Sequence, residues 1–175
     1  MRTRLGGIVL LVGVMGAALA SAACGGSSSS TATTAPSNPQ ISQQAAATAR
    51  PVKDVLLEGV NEAFRSRATY QAAIGKVGQV EPFASTLAAE NTVIDAWKSV
   101  LDKNGVPMPV DIFNGKITPP TDLKTACQAS SAAQTEETAT NARLSKDTTN
   151  ADALKVMSDQ QKASPTLLAA LQKCS

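Results

Sequence analysis

The sequence predicts an all-α fold, a four-helix bundle made of two helical hairpins joined by a proline-rich connection. Three observations lead there. Four stretches of the chain carry their apolar residues at alternating spacings of three and four, the signature of one helix face. No segment shows the alternating pattern of a half-buried strand, and aromatic residues make up only 3% of the chain. Glycine and proline fall between the four stretches rather than within most of them.

The N-terminal part is read separately. Residues 1–23 have the form of an export signal, with Arg2 and Arg4 followed by an apolar run from Ile8 to Ala20. That run is too short for a membrane span. Small residues then lead to Cys24, the candidate lipidation site. Lipoprotein signals usually place Leu three residues before the cysteine, and here Ser21 stands there. Residues 24–41 are rich in Gly, Ser and Thr, the composition of a flexible tether between an anchor and a domain. The expected location is the outer face of the cell membrane, with simple secretion as the alternative. The bundle domain is assigned to residues 42–175.

The first helix is predicted from Ser42 or Pro51 to Lys76, with Leu56, Val60, Ala63, Arg67, Tyr70 and Ile74 on its inner face. The second runs from Pro82 to Asn104, with Phe83, Leu87, Glu90, Ile94, Trp97 and Leu101 inward. Pro82 suits a first helical position, and Gly105 with Pro107 suits a stop. The third runs from Asp122 to Lys146, capped by Thr121. Its face is Leu123, Cys127, Ser130, Gln134, Glu137, Asn141 and Leu144, polar at its centre. The fourth runs from Ala151 to Lys173, capped by Asn150, with Leu154, Met157, Gln161, Ser164, Leu168 and Leu171 inward. Pro165 should kink or break it. Gly105 to Pro120 holds Pro107, Pro109, Pro119 and Pro120. Fifteen such residues can span roughly 50 Å, so either a crossover or a short cap is compatible with the length. Asn114-Gly115 reads as a turn.

Charge narrows the partners. Without Arg2 and Arg4 the chain has 16 − 2 = 14 Lys and Arg against 14 Asp and Glu, a formal net charge of zero. No basic patch for nucleic acid is present. The chain has no histidine, so a Ser-His-Asp triad is unavailable. No spacing singles out a Ser-Lys pair, and no phosphate-cradling glycine loop occurs. No cofactor and no catalytic residue is assigned. With Cys24 lipidated, Cys127 and Cys174 remain. Folding the second hairpin about Thr149 sets Cys127 level with Leu171, one turn from Cys174, which predicts a disulfide.

RATYQAAIGKVGQVEPF (67–83), AAENTVIDAWKSVLDKNGVPMP (88–109), TDLKTAC (121–127) and LLAALQKC (167–174) resemble the secreted branch of ferritin-like domains. Metal-binding members of that superfamily carry a Glu on the first helix, a Glu-x-x-His on the second, and a matching set on the other two. The resemblance aligns these with Arg67, with Glu90 and Val93, with the region of Ala132 and Gln134, and with Ser164 or Pro165 followed by Leu167 or Leu168. It therefore implies a ferritin-like fold without the di-metal ligands, and no metal site is assigned.

Read from the residues alone, Arg67 and Glu90 interrupt two apolar seams at matching heights. A buried charge needs a partner, so the two are expected to pair inside the bundle, with Gln134 and Glu137 as polar seam residues extending the network. Glu136-Glu137 otherwise reads as a solvated face. The resulting function is that of a non-enzymatic, membrane-anchored interaction or ligand-binding module, with an envelope protein or a small apolar ligand as partner. A third option, a small apolar-ligand carrier, would need a cavity in the small-residue core near Ala63 and Ala133. The alternative is a metal-binding oxidase or storage protein with a non-standard carboxylate site.

Overall fold

The computed structural model describes residues 50–174. The expected export signal, Cys24 and the expected tether lie outside the described residues. Four α-helices and no strand are found in the described part: α1 (Val52–Val77), α2 (Phe83–Lys103), α3 (Leu123–Asp147) and α4 (Ala151–Gln172). They form an all-α four-helix bundle. None is long and apolar enough to cross a membrane.

The order around the bundle is α1–α2–α4–α3, each neighbour in contact with the next. Ion pairs give the directions. Arg65 bonds Glu136 and Arg143 bonds Glu58, so α3 runs antiparallel to α1. Lys103 meets Asp152, and Thr138 meets Ser164, so α4 runs antiparallel to both α2 and α3. The senses are up, down, down, up. The 104–122 connection is therefore a crossover that runs the length of the bundle. Its length left this open; the register settles it. Val106 is buried in the core on the way, and Met108 and Phe113 pack against it. Gly115 takes the positive φ of 68° in the expected Asn-Gly turn.

Helix ends follow local chemistry. Asn150 caps α4 by accepting from the Ala153 amide at 3.0 Å. The cap of α3 is Asp122, not the expected Thr121. Asp122 Oδ1 accepts from the Thr125 amide at 2.8 Å, while Thr125 Oγ1 accepts from the Asp122 amide at 3.1 Å, a reciprocal capping box. Pro165 does not break α4, which continues to Gln172. It sits on the exposed side, where water can serve the carbonyl that proline leaves without a donor.

The interior has three layers. A large apolar layer holds Leu56, Val60, Phe64, Trp97, Leu101, Leu144 and Met157. A small one at the other end holds Tyr70, Ala73, Phe83, Ala126, Cys127 and Leu171. There Cys127 and Cys174 form the expected disulfide, with Cα atoms 6.0 Å apart. Between the two layers lies a buried polar band: Ser66, Glu90, Ser130, Gln134, Glu137, Asn141, Gln160 and Ser164. The predicted faces of α2 and α3 largely coincide with these layers, although Leu123 is exposed and Leu87 only partly buried. On α1 the buried positions are Ser66 and Ala73 rather than Arg67 and Ile74. On α4 Gln160 is buried in place of Gln161.

Candidate functional site

The polar band is the chemically distinctive part of the interior. Glu90 on α2 and Glu137 on α3 are 4% and 2% exposed. These helices are diagonal in the bundle, so both carboxyls reach its axis and lie against each other. Among the described residues, Glu90 Oε1 and Glu137 Oε2 are buried without a hydrogen-bond partner. Two carboxylates cannot share a dry site while both ionised. A proton held between them would satisfy both oxygens.

Burial is the main cause pushing Glu90 well above the usual carboxylate range. The charge of Glu137 and a hydrogen bond donated to it add to that, as does the charge of Glu62. Burial also raises Glu137, to about 7, against the lowering effect of bonds accepted from Glu90 and Gln160. Both carboxyls are thus pushed up, and the pair as a whole keeps a proton that exposed glutamates would release.

The network continues into α4. Gln160 Nε2 donates to Glu137 Oε1 at 2.5 Å, and Asn141 Nδ2 donates to Gln160 Oε1 at 3.0 Å. Toward the disulfide, Tyr70 Oη donates to Gln134 Oε1 at 3.3 Å. Burial raises the Tyr70 hydroxyl far above its ordinary value, with Glu137 and Glu90 adding to it, so it stays a neutral donor. The Ser66 hydroxyl lies against Glu137, and the Ser130 hydroxyl is buried nearby without a partner among the described residues.

The expected Arg67–Glu90 pair is not formed. Arg67 Nη2 donates to Asp111 Oδ2 at 2.6 Å, and its guanidinium lies 5.1 Å over the Phe64 ring. Asp111 Oδ1 accepts from the amides of Phe113 and Asn114 at 2.9 and 3.1 Å. Asp111 thus folds a turn of the crossover and pins it to the middle of α1. The physical reason is rotation about the helix axis. Arg67 is level with the polar band but sits at the seam's edge, 22% exposed, where solvent and Asp111 serve it better than the dry axis. Ser66 occupies the inward position.

The other sequence-predicted residues divide. Gln134 and Glu137 are buried in the band, so Glu137 is not part of a solvated face. Glu136 is, and it bonds Arg65 at 2.5 Å. Arg65 also binds Glu62 at 2.6 Å. Glu62, Ser66, Asp111 and Gln160 were not anticipated. Ser66 and Gln160 each adjoin an anticipated residue, so a one-residue rotation would have found them.

Around Ala63 and Ala133, where an apolar-ligand carrier would need its cavity, both residues are at most 4% exposed. A groove of about 480 Å³ opens instead between α2 and α4. These helices face each other through Ala89, Val93, Ala96, Val100, Val156 and Ala163, side chains too short to meet fully. Gln160 lies in its floor, joining groove and acid pair. Lys103 with Asp152, and Lys155 with Asp159, form ion pairs toward one end. Compared with known proteins, the chain matches no family model, no curated sequence and no solved structure.

Proposed function

We propose that the protein is a non-enzymatic ligand-binding module of the cell envelope, exported and held to the membrane through lipid on Cys24. In this reading its bundle is ferritin-like and has lost its metal centre. The observation that supports it best is what fills the middle of the bundle. Dinuclear carboxylate sites draw several carboxylates and imidazoles from all four helices. This chain has no histidine. Its axial carboxyls keep a proton, Gln160 stands on α4 as a neutral amide, and Glu62 is bonded to Arg65. Among the described residues no three His, Cys, Asp or Glu side chains are grouped to hold an ion. The residues do not fit a dinuclear centre, and no chemistry is derived through one. The α2/α4 groove supports the binding role, since about 480 Å³ falls within the roughly 300–1,000 Å³ of small-molecule sites.

The competing reading is a metal-binding oxidase or storage protein that uses a carboxylate-only site. One observation favours it: Glu62 is near enough for its charge to raise both Glu90 and Glu137. Elemental analysis of the purified chain, grown with iron and manganese supplied, decides between them. Substoichiometric metal is expected, and stoichiometric iron or manganese would replace the binding-module reading. Metabolic labelling with a clickable fatty acid tests the anchor: label should enter the wild-type chain and be absent from Cys24→Ala.

A further inference from the structure

We infer that Asn114, in the crossover, is a site of spontaneous deamidation, a covalent modification that needs only water, and that the second Asn-Gly pair, Asn104-Gly105, is protected by its hydrogen bonds. This goes beyond the binding-module reading and does not depend on it. Asparagine is among the labile side chains, and its main hazard is the residue that follows. The main-chain nitrogen of that residue, once its proton is lost to solvent base, attacks the asparagine side-chain carbonyl carbon. A C–N bond closes a five-membered succinimide, the bond to the side-chain nitrogen breaks, and ammonia leaves with a proton. Water then opens the ring at either carbonyl, giving aspartate or isoaspartate. Glycine is the most permissive follower, because no Cβ restricts the approach. By sequence the chain has two Asn-Gly pairs of equal standing, Asn104-Gly105 and Asn114-Gly115.

All four residues are exposed, so access to water does not separate the pairs. Hydrogen bonding does. Asn114 and Gly115 are the central residues of a turn closed by the Lys116 amide, which donates to the Phe113 carbonyl at 2.9 Å. That closing bond leaves the central Gly115 amide unused. Among the described residues the Gly115 nitrogen has no acceptor and the Asn114 side-chain amide has no partner. Asp111 accepts from the amides of Phe113 and Asn114, so it braces the turn without engaging either reacting group. At the other pair the reacting groups are all engaged. Asn104 Nδ2 donates to the Val100 carbonyl at 2.7 Å, and its Oδ1 accepts from Asn150 Nδ2 at 2.9 Å. The Gly105 amide donates to the Asp102 carbonyl at 3.2 Å, and the next residue, Val106, is buried in the core. Turning the Asn104 side chain onto the Gly105 nitrogen would break these bonds before any is replaced. Conversion at Asn114 adds a negative charge to the turn that Asp111 braces, and isoaspartate also adds a methylene to its main chain.

The test ages the full chain in neutral and in mildly alkaline buffer. Peptides are then read by mass spectrometry with electron-transfer fragmentation, which tells isoaspartate from aspartate. Ion exchange gives an independent readout, since each conversion adds one negative charge. In the folded chain the product at 114 should form at least about tenfold faster than at 104, and faster in the alkaline buffer. In urea with the disulfide reduced, the two rates should converge. Asn150→Ser keeps a capping oxygen for α4 but withdraws the amide that holds Asn104. It should raise the rate at 104 several-fold and leave that at 114 unchanged, with circular dichroism reporting that the helices persist. Asn114→Gln, whose longer side chain disfavours the ring, should remove the acidic shift. Equal rates in the folded chain, or a faster 104, overturn the proposal. So does a gap that persists in urea, because neighbours in sequence would then set it rather than the fold. An acidic shift undiminished in Asn114→Gln also overturns it, by placing the reaction elsewhere.

Discussion

The large apolar layer and the polar band sit one turn apart in the same bundle and are held by different physics. Trp97, Leu56, Leu101 and Met157 are fully buried, and close packing holds them there. Gly59 marks how tight that packing is: a Cβ at this position would stand 2.6 Å from Trp97 Cζ2. In the polar band, Glu90, Glu137, Gln160 and Asn141 are buried too, and hydrogen bonds and retained carboxyl protons take the place of packing. Packing tolerates any pH. A retained proton does not. The band is therefore the part of the interior that solution conditions can reach.

Substitutions should separate the two regions. The largest loss is expected for Trp97→Ala in the apolar layer, about 3–5 kcal/mol by chemical denaturation, from lost burial and the cavity left behind. Opening the disulfide with Cys127→Ala and Cys174→Ala should cost about 2–4 kcal/mol, since it closes a span of 47 residues. In the band, Glu137→Ala strands the Gln160 amide and the Glu90 carboxyl, and about 2–3 kcal/mol should be lost. Glu90→Gln keeps a donor facing Glu137 and should cost less than Glu137→Ala. A Glu90→Gln loss matching that of Glu137→Ala would refute a protonated contact between the two carboxyls.

The acid pair also sets a pH dependence of known sign. An unfolded glutamate releases its proton near pH 4.5, whereas the native Glu137 holds it to about 7 and Glu90 is raised as well. Through that window the native state binds more protons than the unfolded chain, so stability falls as pH rises. The groups facing the pair are Glu62, Ser66, Arg67 and Tyr70 of α1 and Gln160 of α4. Melting temperatures between pH 4.5 and 8 should decline for the wild type and run flatter in a Glu90→Gln, Glu137→Gln variant. Equal slopes would mean that the pair does not control the dependence. The smallest effect is expected for Arg67→Ala, about 1 kcal/mol, because its bond to Asp111 is partly wet. A loss of several kcal/mol there would restore Arg67 to the buried network.

Helix existence and most inner faces were legible because three-four spacing reports which side of a helix is buried. Glu90, Gln134 and Glu137 were found this way. What spacing cannot report is a rotation of one residue between polar neighbours. Ser66 with Arg67, and Gln160 with Gln161, are such pairs, and in each the inner member was mistaken. The Glu90–Glu137 contact was hidden for another reason. It joins diagonal helices, whose relative register is set by a crossover with no periodicity of its own. Asp111 lies in that crossover and has no pattern to mark it. The disulfide was legible because a hairpin's turn fixes the heights of its two helices directly.

The same disulfide shapes the protein when it is not folded. Heat or urea leaves the bond intact, so the denatured molecule is a lasso rather than a free string. Its loop contains nearly all of α3 and α4, and its single long tail contains α1 and α2. The loop holds the far ends of one hairpin together at all times, and closure entropy for that hairpin is already spent. Reassembly is then a search by the tail for a partner whose halves never separate.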